Sequence, residues 1–201
     1  MELNLLKIIF LFIIGWSGYY GFFFPRKLGY VNEPLVNSLW FLFAIICGIL
    51  MFGNYSNLFS IDAYILLVEI IIIYYAVLIA KNSGAIKNSH KNYLLVKIFE
   101  ICFQQFVIVS LISWVVYYFP NGLLTVIIFS IFWGLIHFGI LFFKTLGNIR
   151  YIYFFLSFVG GSMFYLLVTV GIFGVEIAFL LHYMFYVYMS FNMSIETLKS
   201  L

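Results

Sequence analysis

The chain is a succession of apolar runs about as long as the hydrocarbon core of a bilayer is thick. An α-helix needs about 20 predominantly apolar residues to cross that core. Seven such runs fall at roughly residues 5–24, 35–53, 62–80, 94–118, 122–143, 151–170 and 175–192. They take up most of the 201 residues and leave no room for a soluble domain. Inside hydrocarbon every backbone N–H and C=O must find its partner within the protein, so only helices and closed barrels span. A transmembrane β-barrel would alternate apolar and polar residues. Runs such as Ile70–Tyr75 do not alternate. The expected fold is all-α: a polytopic integral membrane protein of about seven helices, a single transmembrane domain over residues 1–201. No small-residue cleavage site follows the first run, so it reads as a retained helix and not a signal peptide.

Charge is scarce, at 8% of residues, and its placement carries information. With seven spans, alternate loops share a side. Arg26, Lys27, Lys81, Lys87, Lys91, Lys97, Lys144, Arg150 and Lys199 all fall on one side, and Lys7 alone falls on the other. The positive-inside rule then puts the N-terminus outside and the C-terminus in the cytoplasm. Richness in Ile, Phe, Tyr, Asn and Lys is a composition cue for an AT-rich prokaryotic genome, which makes the plasma membrane the expected location. Membrane lipids are the expected surroundings, and nucleic acid is not an expected partner. Turn signals fit this layout: Pro34 opens span 2, Pro120–Asn121–Gly122 separates spans 4 and 5, and Gly147–Asn148 precedes span 6.

Against this background Glu100, His137 and His182 stand out. Each lies inside an apolar run, where an ionisable side chain is expensive and by default marks a functional site. At 1.5 Å per residue, Glu100 and His137 lie about 9 Å below the cytoplasmic ends of their spans, and His182 about 15 Å. All three could share one chamber in the cytoplasmic half of the bilayer. Residues four apart share a helix face. Gln104 therefore accompanies Glu100, Trp133 accompanies His137, and Tyr186 accompanies His182. A carboxylate with two imidazoles can activate water and steady an oxyanion. The same donors, Glu100, His137 and His182, could also bind a divalent metal such as zinc. Glu69 does not fit this cluster. It belongs to the outer half of span 3, within range of a polar group near Glu176. Cys47 and Cys102 read as small packing residues. Gly160, Gly161 and Ser162 read as a place for close helix approach.

The order of these residues resembles a family. Phe99–Glu100–Ile101–Cys102–Phe103–Gln104, Trp133–Gly134–Leu135–Ile136–His137 and His182–Tyr183–Met184–Phe185–Tyr186 look like the three motifs of the CPBP intramembrane proteases, also called the Abi family. That group includes CAAX prenyl proteases and bacteriocin-processing enzymes. Its motifs are a glutamate pair with arginine four residues on, a phenylalanine with histidine four residues on, and a histidine with asparagine four residues on. Here Phe99 replaces the first glutamate, Gln104 the arginine, Trp133 the phenylalanine and Tyr186 the asparagine. Gly161, Tyr165, Thr169 and Gly171 are similar to the stretch that precedes the last motif. The resemblance covers residues 94–192 as a catalytic core. It implies an intramembrane endopeptidase acting on a lipidated or membrane-inserted peptide, with the site between helices 4, 5 and 7. Glu100 would be the general base, His137 its partner on the water and His182 the oxyanion donor. Gln104 cannot supply arginine's charge.

Other readings remain beside it. One is an inactive family member acting in bacteriocin self-immunity or as a membrane scaffold. Another is a haem protein with His137 and His182 as axial ligands. A carrier would show an inverted repeat, and none is visible. A retinal protein would need a lysine in the last span, and the zinc-protease H-E-x-x-H pattern is absent.

Overall fold

The computed structural model describes residues 5–17, 29–52, 63–142, 149–170 and 173–192. Its elements are α1 (Leu5–Phe12) continued by a wider π-turn (Ile13–Ser17), α2 (Pro34–Phe52), α3 (Ala63–Asn82), α4 (Asn88–Tyr118), α5 (Gly122–Phe142), α6 (Ile149–Val170) and α7 (Gly174–Asn192). There is no strand among the described residues. Among the described residues three helices are long and apolar enough to cross a membrane: α2 over Pro34–Met51, α4 and α7. The apolar stretches of α1, α5 and α6 found by the same measure are shorter.

The element order follows the apolar runs, and the ends differ. Described helix in the first run stops at Ser17, and the rest of that run lies outside the described residues, as do Gly147–Asn148 and Gly171. The larger correction is at α4. Its helix begins at Asn88, ahead of the apolar run that starts near residue 94. Tertiary contacts hold this polar first turn. Asn92 Nδ2 donates to Val31 O at 2.9 Å, and His90 stacks on Phe191 of α7. Lys97, expected near the start of span 4 among the cytoplasmic-side cations, therefore lies well inside a helix.

α4 is the axis of the molecule. It packs against α1, α2, α3, α5, α6 and α7, and most of its side chains are buried. It is also the helix whose interior is most polar, with Lys97, Glu100, Gln104, Gln105, Ser110 and Ser113 all buried. The surrounding helices turn apolar residues outward instead, for example Leu50 of α2, Ile72 of α3, Leu123 of α5, Phe155 of α6 and Tyr188 of α7.

Polar ties link the helices across apolar packing. Trp40 Nε1 of α2 donates to Gly15 O at 3.1 Å. Tyr183 of α7 donates to Leu94 O of α4 at 3.3 Å. Ser130 of α5 and Ser162 of α6 share a hydrogen bond at 2.8 Å. This accounts for Ser162 as a packing residue. α5 and α6 make the most extensive helix pair, and Gly161 permits it. A Cβ there would come within 3.1 Å of Trp133. Pro34 sits at the first position of α2, where a missing N–H leaves no bond unmade. At the α6–α7 connection Gly174 lies against backbone, and a Cβ would fall 1.8 Å from Leu167 O. Only glycine fits there.

Candidate functional site

The candidate site is built from the middle of α4 outward. Lys97, Glu100 and Gln104 are spaced three and four residues apart, so one face of α4 carries all three. Lys97 Nζ meets Glu100 Oε2 at 2.5 Å, and Gln104 Nε2 donates to Glu100 Oε1 at 3.1 Å. Lys97 is 6% exposed and Glu100 2%. Both charges are out of water, and each is the other's counter-ion. A buried charge is tolerated only when it is paired and hydrogen-bonded.

The ammonium has a second environment. It lies 3.9 Å above the centre of the Tyr186 ring, 5.0 Å from that of Tyr30 and 5.4 Å from that of Tyr93. These rings come from α7, the 29–33 turn and α4. An aromatic face attracts a cation, by about 2 kcal/mol or more when desolvated. The cage fixes Lys97 over Glu100.

From Lys97 a file of rings leads across the bundle. Tyr186 stacks on His182 at 5.3 Å between centres. His182 lies 5.1 Å from Phe164, and Phe164 is 6.4 Å from Trp133. Trp133 meets His137 edge-on at 4.6 Å. His137 lies within electrostatic reach of Glu100, and His182 within reach of both His137 and Lys97. Helices α4, α5 and α7 thus bring Glu100, His137 and His182 to one region, with Gln104, Trp133 and Tyr186 beside their respective partners.

The imidazoles differ in what they offer. His137 Nδ1 is 2.8 Å from Trp133 O. A carbonyl oxygen only accepts, so Nδ1 carries the proton and Nε2 of the neutral ring holds a lone pair. His182 Nδ1 is buried and has no hydrogen-bond partner, and the same is true of Gln104 Oε1. Tyr186 contributes its ring face to the lysine cage.

Two residues escaped the sequence reading. In the sequence Lys97 counts only as one of the cations on the cytoplasmic side, although its spacing of three from Glu100 is a usable signal. Gln105 is 3% exposed, and neither end of its amide has a partner. Its signal was an amide pair, Gln104–Gln105, within an apolar run.

The metal expectation meets an obstacle. Among the described residues no three His, Cys, Asp or Glu side chains are gathered as a metal-binding group. One oxygen of Glu100 is held by an ammonium, which opposes a second cation at the same place. The residues present do not fit a three-ligand divalent site.

Glu69 stands apart on α3. It lies within electrostatic reach of Glu176, which is buried at the start of α7. Cys47 and Cys102 are free thiols on α2 and α4. No protein-family model, curated protein or solved structure matches this chain.

Proposed function

We propose that the protein is a multi-pass plasma-membrane hydrolase. It spans the bilayer about seven times, with its N-terminus outside and its C-terminus in the cytoplasm. It cleaves a peptide bond of a membrane-inserted or lipidated peptide, in the manner of a divergent CPBP-type intramembrane protease. The observation that carries this reading is the succession of electrostatic neighbours Glu100, His137 and His182 across three apolar helices, with His182 Nδ1 buried and without a partner among the described residues.

In this reading a water lies between Glu100 and the lone pair on His137 Nε2. Glu100 takes one proton from the water as its oxygen attacks the peptide carbonyl carbon. The electron pair of the C=O bond moves to oxygen, and His182 donates a hydrogen bond to the oxyanion. Collapse of the intermediate breaks the C–N bond, and the proton on Glu100 leaves with the amine. Lys97 and Gln104 hold the carboxylate in place throughout. Lys97 also supplies a cation beside Glu100, a charge that Gln104 lacks. Donors aimed at a developing oxyanion are each worth about a hundredfold or more in rate, and a positioned general base about the same.

The test is cleavage of membrane-anchored peptides co-reconstituted with the pure protein, read as new peptide termini by mass spectrometry. Glu100→Gln is expected to lower their formation at least about a hundredfold. Undiminished cleavage by Glu100→Gln would sink the reading.

A second reading is favoured by one observation: Lys97 and Gln104 engage both oxygens of Glu100. On that reading the cluster is a polar tie in a non-catalytic protein, acting as a scaffold or in bacteriocin self-immunity. The unaltered protein would then cleave no membrane-anchored peptide, and replacing Glu100 would lower stability and yield.

A further inference from the structure

α3 and α4 border an apolar cavity of about 270 Å³. It is lined by Ile70, Ile71, Tyr74 and Tyr75 of α3 and by Ile98 and Phe99 of α4. Ile71, Tyr74 and Tyr75 are largely exposed, so the cavity opens on the outer surface of the bundle. Nothing polar except the tyrosine hydroxyls lines it.

The helix periodicity connects this cavity to a cluster of cations. Lys81 lies two turns beyond Tyr74 on the same stripe of α3. Lys91 lies two turns before Ile98 on the same stripe of α4. Two turns are about 10 Å. Both stripes run toward the short connection at residues 83–87, where Lys87 is exposed. None of the three lysines forms an ion pair among the described residues, where the one ion pair is Lys97–Glu100. Glu33, exposed in the turn that Asn92 ties to α4, is the acidic side chain at this end among the described residues. An apolar slot thus lies about 10 Å beneath an excess of positive charge.

We infer that the α3–α4 groove is a binding site for an anionic phospholipid, with an acyl chain along the cavity and its phosphate among Lys81, Lys87 and Lys91. The depth matches the lipid. Each headgroup layer of a bilayer is about 5–7 Å thick, and the chains begin beneath it. The charge matches too, since lysines at the inner membrane surface favour anionic headgroups. The inference rests on the membrane placement proposed above and not on hydrolysis. Because Ile98 and Phe99 immediately precede Glu100, a lipid held there lies beside the turn of α4 that carries the ion pair.

The experiment is native mass spectrometry of the purified full chain, delipidated and offered an equimolar mixture of dioleoyl phosphatidylglycerol and dioleoyl phosphatidylcholine. Retention of phosphatidylglycerol is expected to exceed that of phosphatidylcholine at least about fivefold. The Lys81→Gln, Lys87→Gln, Lys91→Gln variant is expected to bring the two lipids to parity. Filling the groove by Ile71→Trp with Tyr75→Trp is expected to reduce retention of both lipids while leaving the lysines intact. Equal retention by the unaltered chain overturns the inference. So does a phosphatidylglycerol preference that survives groove filling, because that result is surface charge alone. Lys87, Ile71 and Tyr75 are exposed and Lys81 and Lys91 partly so, and matching elution and helical circular dichroism establishes that each variant folds. Release of the protein from membranes by alkaline carbonate would instead take down the membrane placement itself.

Discussion

Removing either partner of the Lys97–Glu100 pair leaves a charge buried among tyrosines and aliphatic side chains. Breaking such a pair typically costs about 3–5 kcal/mol. Lys97→Met is therefore expected to lower the thermal unfolding midpoint sharply in detergent. The double variant Lys97→Met, Glu100→Leu is expected to regain much of the loss, because no lone charge remains. If the single and double variants unfold alike, the pair is not what holds this region. Gln105 offers the opposite sign. Its buried amide meets no partner, and an unmet polar group costs about 1–3 kcal/mol. Gln105→Leu is expected to raise the same midpoint, and a lowered one would mean that the amide binds something. The sequence made Glu100, His137 and His182 visible because each is an ionisable residue within an apolar run. It hid Lys97, because a lysine near the start of a run looks like a loop cation until the helix start is known.

At the scale of elements, the tight places are where backbones or large rings approach. Gly174→Ala would set a methyl group against Leu167 O, closer than any real contact. The α6–α7 connection must then open, carrying His182 away from Tyr186 and Phe164. Yield of folded protein in the membrane fraction is the readout, and normal yield would count against this packing. Gly161→Leu is milder in kind but larger in volume. It forces Trp133 aside, and overpacking of this sort costs about 1–3 kcal/mol. Its expected signature is a change in tryptophan emission together with a lower midpoint. The order of helices was legible in the apolar runs, and Pro34 and Pro120–Asn121–Gly122 marked two of the breaks. The ends were less so. The first turn of α4 is polar, and it is helical because Asn92 and His90 find partners on other elements, which no local pattern reveals.

For the whole molecule, the proposed orientation makes a direct prediction. A reporter active only in the cytoplasm, fused after Leu201, is expected to be active, and one fused ahead of Met1 inactive. The reverse pattern would overturn the orientation drawn from nine basic residues on one side. Which helix lies at the centre was only half legible. Span 4 was noticed for Glu100, yet its further polar residues Gln105, Ser110 and Ser113 are what distinguish an enclosed helix from one that faces lipid. The other helices are apolar nearly all round, so periodicity does not say which face turns inward.

That central position has a consequence for how the chain is made. α4 leaves the ribosome before α5, α6 and α7, yet the ring nearest Lys97, that of Tyr186, belongs to α7. Until α7 arrives, the Lys97–Glu100 pair lacks its closest ring. A nascent chain halted before Gly174 would present those groups to lipid or to the insertion machinery.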